Sequence, residues 1–250
     1  MPDKAILIDT TKCLACRGCQ VACKQWNQLP AEATRNSGSY ENPPSLSTST
    51  LTKIIFQEVK KGHDLAWHFR KEQCLHCSKA ACLVLCPSMA IYQNQFGFIE
   101  VNPDRCIGCG ICEKFCPFKI PQVNRSTHKA VKCTLCVDRV ANGLVPACVK
   151  TCPTGTLRFG DRQRLIKEAR QVMSGSTDGR THFYGEQECG GLHVLYLLPD
   201  HPSLLGLPEN PKMPNPFEAY AFLMDSLKPS PFKDKVLDMA GLKYFGHRLV

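Results

Sequence analysis

The chain has 250 residues, a formal net charge of +9, 21% charged residues and 17 cysteines. That length allows one large domain or two small ones, and no run of eighteen apolar residues marks a membrane-spanning helix. The cysteine count is odd and the cysteines stand in tight runs, which excludes the disulfide framework of a short secreted domain.

From the amino terminus, MPDKAILIDTTKC reaches the first cysteine without the basic, apolar and small-residue regions of a signal peptide. That fits the cytoplasm, or equally a subunit exported to the periplasm inside a folded complex with its partner. Sixteen cysteines then form four groups: Cys13, Cys16, Cys19, Cys23; Cys74, Cys77, Cys82, Cys86; Cys106, Cys109, Cys112, Cys116; and Cys133, Cys136, Cys148, Cys152. Groups one and three have the spacing C-x2-C-x2-C-x3-C, which brings three thiolates round one corner of a cubane while the fourth points to a neighbouring cluster. Zinc sites instead join two C-x2-C knuckles across a longer loop, so four [4Fe-4S] clusters fit better than zinc. Oxidised clusters with four thiolates carry about −2 each and bring the balance to roughly +1. The basic excess therefore reads as compensation for buried clusters and not as a nucleic-acid footprint.

Residues 36–50 are polar and rich in turn formers, a surface loop. Leu51 to Val59 and Leu65 to Phe69 have strand character and predict a second small sheet. Between groups two and three, residues 90–93 and 98–101 flank a Gly-containing turn and read as a hairpin. Group, hairpin, group is the plan of a two-cluster ferredoxin, with a short helix such as Ile111 to Cys116 delivering each fourth thiolate. Pro87, Pro117 and Pro153 follow the last cysteines of groups two, three and four and end those helices.

If groups two and three form one module, groups one and four form the other by elimination. Crossing the fourth cysteines gives four ligand sets. The first is Cys13, Cys16, Cys19 and Cys152, and the second Cys23, Cys133, Cys136 and Cys148. The third is Cys74, Cys77, Cys82 and Cys116, and the fourth Cys86, Cys106, Cys109 and Cys112. The expected fold class is α+β, built of two ferredoxin-like two-cluster modules. The outer, discontinuous module takes residues 4–35 and 125–160 and the inner one 73–124. Residues 36–72 are an insertion, 161–198 a helix–strand extension and 199–250 a Pro-rich arm.

In that extension Asp161 is a plausible N-cap for a helix to about Met173, with Leu165, Ile166, Ala169, Val172 and Met173 on one face. His193 to Leu198 reads as a strand. Pro199 to Pro216 holds six prolines and is expected to be extended, wrapping a partner or hanging in solvent. Phe217 to Leu227 and Val236 to Phe245 are short amphipathic helix candidates.

Outside the sixteen ligands, His76 is expected to face solvent rather than a sulfur, and Cys189 to be a free thiol near a Gly-rich loop. Lys132 and Lys150 adjoin ligands, and Trp26 and Phe115 are expected to shield clusters. No nucleophile and base motif, phosphate loop or dinucleotide fingerprint is present, so no catalytic residue is assigned and the chain reads as a conductor. With sixteen small buried positions spent on ligands, the apoprotein is expected to be molten or unfolded.

CLACRGCQVACKQWN at 13–27, CIGCGICEKFCPF at 106–118 and KCTLCVDRVANGLVPACVKTCPTG at 132–155 closely resemble the four-cluster electron-transfer subunits of molybdopterin-dependent oxidoreductases. Trp26 and Asn27 after Cys23, GluAsnProProSerLeuSer at 41–47 and GlyGlyLeuHisValLeuTyrLeuLeu at 190–198 are most similar to the beta subunit of formate dehydrogenase. The resemblance covers roughly residues 5–212. It implies a large catalytic partner holding molybdenum or tungsten on a bis-pterin cofactor, where formate is oxidised to carbon dioxide. It also implies that all sixteen cysteines bind iron, that Pro87, Pro117 and Pro153 shape the ligand loops, and that the outer module lies nearest the partner. It further implies a downstream partner, a cytochrome or membrane subunit or another electron acceptor. Past residue 212, membrane-bound relatives carry a transmembrane helix and this chain the amphipathic segments. The same wire could serve a nitrate, polysulfide, thiosulfate or dimethyl sulfoxide reductase, or be a free multi-cluster ferredoxin.

Overall fold

Two apolar strands far apart in sequence anchor the architecture. KAILID forms β1 (Lys4–Asp9) and VLYLL forms a strand at Val194–Leu198, and they pair in parallel with Ile6 opposite Val194. Both are buried on each face, as near-continuous apolar runs are when a sheet is covered on both sides. The structure, a computed structural model, describes residues 3–36, 38–62, 64–175 and 181–226. The candidate helix at 236–245 lies outside the described residues.

After β1 the chain enters α1 (Gly18–Trp26), then the hairpin β2 (Lys53–Lys61) and β3 (Asp64–Glu72). The inner region follows with α2 (Ala81–Val84), β4 (Ile91–Gln93), β5 (Ile99–Val101) and α3 (Ile111–Lys114). A second short hairpin, β6 (Gln122–Asn124) and β7 (Lys129–Val131), leads to α4 (Val137–Ala141) and α5 (Ala147–Lys150). The chain returns through β8 (Leu157–Asp161), α6 (Arg162–Gly175), β9 (His182–Tyr184) and β10, the strand at Val194–Leu198, and ends in α7 (Pro216–Ser226). The main sheet has the order β8-β1-β10-β9.

Alternation along the central strands separates two faces. Ala5, Leu7, Leu195 and Leu197 pack under Leu165, Ile166 and Ala169 of α6. Ile6, Ile8, Val194, Tyr196 and Leu198 turn the other way, into a core shared with Cys19, Cys74, Cys133 and Cys148. One sheet face is thus an ordinary apolar core and the other is a floor for the cysteines. Asp161 caps α6 as expected, accepting a hydrogen bond from the Arg164 backbone N–H at 3.0 Å. Val172 and Met173, assigned to the buried face from periodicity, are exposed, because burial stops at Ala169 and the last turn runs past the sheet.

β4 and β5 form the expected hairpin, and Asn94 holds its turn by accepting from the N–H groups of Phe96 and Phe98 at 2.9 and 3.0 Å. β2 and β3 pair antiparallel over their full length. Residues after Pro199 depart from expectation. Leu205 and Leu207 are buried, Arg70 donates from Nε to the Leu205 carbonyl at 2.7 Å, and Tyr184 donates to that of Pro208 at 2.8 Å. The segment is not extended throughout, since a 3-10 turn spans Pro202–Leu205, and two leucines and two carbonyl contacts fasten it to its own chain. α7 packs back as well: Ala219 and Leu223 bury against Ile111, and Phe222 meets Phe115 edge-on at 5.7 Å. Among the described residues no helix is long and apolar enough to cross a membrane.

Candidate metal centres

One backbone device recurs in all four cysteine groups. The residue just before each second cysteine is left-handed: Ala15 at φ 52°, His76 at 49°, Gly108 at 68° and Leu135 at 53°. Three of the four are not glycine, and each such residue costs roughly 1–2 kcal/mol, so the loops hold their shape against local strain. In group four the turn aims a backbone N–H at sulfur, Leu135 N lying 3.4 Å from Cys133 Sγ; in group three the donor comes from β7, with Ala130 N 3.3 Å from Cys106 Sγ. Donors of this kind favour a thiolate.

The loops surround separate hollows. Cys13, Cys16, Cys19 and Cys152 line one beneath β1, with Ile8, Leu157 and Lys71. Cys74, Cys77, Cys82 and Cys116 line a second, and Cys86, Cys106, Cys109 and Cys112 a third. Cys23, Cys133, Cys136 and Cys148 are mutual electrostatic neighbours where α1 meets α5. The fourth cysteine of a group has its own polar neighbour: Ser88 Oγ 3.7 Å from Cys86 Sγ, Thr154 Oγ1 3.8 Å from Cys152 Sγ, and Asn27 Nδ2 3.6 Å from Cys23 Sγ. A cleft of about 870 Å³ between β2, β3 and residues 203–209 contains no cysteine.

Burial dominates the thiol electrostatics. It pushes Cys19 to about 11 and Cys23 to about 12, against the pull of the Lys71 ammonium. It likewise raises Cys82 to about 12 and Cys116 to about 11. For Cys152 burial acts upward too, but the Leu157 N–H and the Thr154 hydroxyl and backbone outweigh it and hold the thiol below its ordinary value. Neutral thiols are what an apolar pocket tolerates, and a bound cationic metal core replaces their protons.

Several residues sit differently from the sequence reading. His76, expected in solvent, is fully buried; its Nδ1 accepts the Ile99 N–H at 3.0 Å, and its ring meets Phe98 edge-on at 5.9 Å. Burial, then the charge of Lys132, holds its pKa well below the usual histidine range. The neutral ring, with Nδ1 accepting, therefore carries its proton on Nε2. Cys189 packs against the same core as Cys77, and its Sγ lies 3.7 Å from the Pro211 carbonyl. Lys132 is buried and donates to the carbonyls of Ile99 and Cys133, whereas Lys150 is exposed. Trp26 is 42% exposed, donates to Asp138 at 2.9 Å and lies under the Arg139 guanidinium at 4.3 Å. Lys71, buried among thiols of two groups, was not singled out by any motif. A charge excess implies buried cations without saying which they are.

The donor chemistry fits iron–sulfur clusters. Each hollow is lined by four soft sulfur donors. Among the described residues no three His, Cys, Asp or Glu side chains converge as a single ion requires; the thiols ring a volume. Buried Lys71 and Lys132 and the inward N–H groups supply the positive potential that a cluster made anionic by its four thiolates needs.

Residues 65–162 match the 4Fe-4S dicluster domain family. The chain is an iron–sulfur protein of the multi-cluster, ferredoxin-like electron-transfer class, and its cysteines accommodate four [4Fe-4S] clusters. It is 40% identical over 247 residues to the nitrate-inducible formate dehydrogenase iron-sulfur subunit of Escherichia coli K12, covering 96% of this chain and 83% of that one. Identity to the formate dehydrogenase-O iron-sulfur subunit of the same organism is 44% over 218 residues, covering 84% and 73%. For the formate dehydrogenase 2 subunit beta (cytochrome c-553) of Nitratidesulfovibrio vulgaris it is 36% over 209 residues, covering 78% and 93%. The chain belongs to the family of formate dehydrogenase iron–sulfur subunits.

Proposed function

We propose that this chain conducts electrons between a molybdenum- or tungsten-pterin catalytic partner that oxidises formate and a downstream acceptor. The four ligand sets hold its clusters, in the modular division that groups one with four and two with three. The observation that carries the reading is the row in which the thiol quartets stand. Cys19 of the first set neighbours Cys148 of the second. Lys132 links the second set to the third, bonding the Cys133 carbonyl and acting on Cys82. Cys82 of the third set in turn neighbours Cys112 of the fourth.

Bound clusters supply one-electron redox chemistry; the chain supplies fixed spacing, a dry setting and the hydrogen bonds and charges that set potentials. At the first set Cys16 is exposed, and Leu14 and Val21 beside it are 69% and 62% exposed, apolar surface suited to a catalytic partner. At the far end Val84 and Met89 flank the fourth set, 61% and 71% exposed, and serve the acceptor.

The test is purification of the affinity-tagged chain from its own cells, with assays of iron, sulfide, molybdenum, tungsten and formate-dependent dye reduction. A large pterin-bearing protein should copurify and formate should reduce the chain's iron. A complex that turns over nitrate, polysulfide, thiosulfate or a sulfoxide but not formate would overturn the substrate. A chain that purifies alone and soluble would overturn the subunit reading in favour of a free ferredoxin.

A further inference from the structure

Lys71 stands near the end of β3, opposite Ile54 in the hairpin, with its side chain turned inward and the residue 2% exposed. It lines the hollow of Cys13, Cys16, Cys19 and Cys152. Its electrostatic neighbours are Cys148, Cys19, Cys133 and Cys23, so it faces thiols of both the first and the second set. An ammonium has three donors. Among the described residues its one acceptor is Gln73 Oε1, a neutral amide whose own Nε2 is buried without a partner.

Other buried cations are provided for differently. Lys53 has the Glu41 carboxylate and the Pro44 carbonyl, and Arg70 has the Leu205 carbonyl and Glu72. Lys132 has two backbone carbonyls, and Arg162 has that of Leu192. Lys71 has neither a carboxylate nor a backbone carbonyl among the described residues, and a charge so placed is costly unless anions face it. The groups that face it are the thiols of two quartets.

We propose that Lys71 is a positioning cation shared by the first two ligand sets, fixed between them by the β2–β3 hairpin, which raises the potentials of both centres together. The inference deepens the proposed conductor and rests on its quartet assignment. A fixed positive charge lowers the energy of adding an electron on either side, and net charge near a cluster sets its potential. One lysine between two centres shifts both in the same direction and leaves the step between them little changed. It also makes the insertion at 36–72 part of the electron path.

The experiment is a redox titration followed by electron paramagnetic resonance on the complex purified with wild-type, Lys71→Met and Lys71→Arg chains, alongside iron and sulfide content. Cys16→Ser and Cys136→Ser identify the signals of the first two sets. In Lys71→Met the reduced-to-oxidised ratio of both signals at a fixed potential should fall about tenfold, about 59 mV for one electron. The other two signals should stay in place, and Lys71→Arg should shift none. No fall, or an equal fall in all four, overturns the proposal. If Lys71→Met does not load its clusters, Lys71→Arg decides: full loading shows that charge is required and supports the proposal, and loss in both overturns it. Failure of the quartet assignment is visible separately, as Cys16→Ser and Cys152→Ser disturbing different signals of the wild-type pattern.

Discussion

His76 combines three demands at one position: a left-handed backbone at φ 49°, full burial, and a ring nitrogen that accepts the Ile99 N–H. Its carbonyl also accepts from the backbone N–H of His193, 117 residues away, at 3.2 Å. Asparagine tolerates the left-handed region and offers an acceptor, whereas valine is disfavoured there and leaves a buried donor unpaired, at a cost of about 1–3 kcal/mol. His76→Val should lower the thermal unfolding midpoint of the loaded complex clearly more than His76→Asn. Equal midpoints would show that neither the turn nor the hydrogen bond matters. The sixteen candidate ligands are legible in the sequence because their loops are local and their spacing repeats. His76 and Lys71 are not, because burial at each is decided by segments far along the chain: residues 99 and 193 for the one, groups one and four for the other.

Hairpins divide along the same line at the scale of elements. β4–β5 is readable from Asn94 and Gly97, a local turn signal between β-branched and aromatic residues. β1 was not assigned from the sequence, since its partners β8 and β10 lie some hundred and fifty residues or more downstream. The proline-rich segment misled because proline sets the path of a chain and says nothing of the surface beneath it, which Leu205 and Leu207 decide. Gly97 tests how tightly the first hairpin is pinned. It has φ 86°, and an added Cβ would collide with the His193 ring and the Asp3 carboxylate, themselves bonded at 2.7 Å. Gly143 has a comparable φ of 73° and open space around it. Gly143→Ala should therefore cost only the backbone strain, roughly 1 kcal/mol, and Gly97→Ala at least about twice that from strain and overlap together. Denaturant midpoints of the two variants check the order; a milder effect at Gly97 would mean that the turn moves away from His193 freely.

Across the whole molecule two sources of stability meet at the main sheet. On the α6 side, Leu7, Leu165, Ile166, Leu195 and Leu197 are dry without any metal, and each such side chain contributes about 1.5–3 kcal/mol gross. On the other side Ile6, Ile8 and Tyr196 share their core with Cys19, Cys133 and Cys148, so that face is expected to depend on metal in the hollows. The cysteine loops hold left-handed residues, helices of four or five residues and hairpins of three pairs, none of which persists alone. The effect of iron removal should accordingly be uneven along a chain whose apoprotein the sequence predicts to be molten or unfolded. After chelation under reducing conditions, hydrogen exchange should become fast through residues 13–27, 74–120 and 132–156, and near-ultraviolet dichroism should collapse. Amides of β1, β10 and α6 should exchange last, held by the face that never depended on metal. Simultaneous loss of protection in all three would mean that the sheet has no stability of its own. Retained protection in the cysteine loops would mean that clusters contribute little to the fold, against the strain those loops carry.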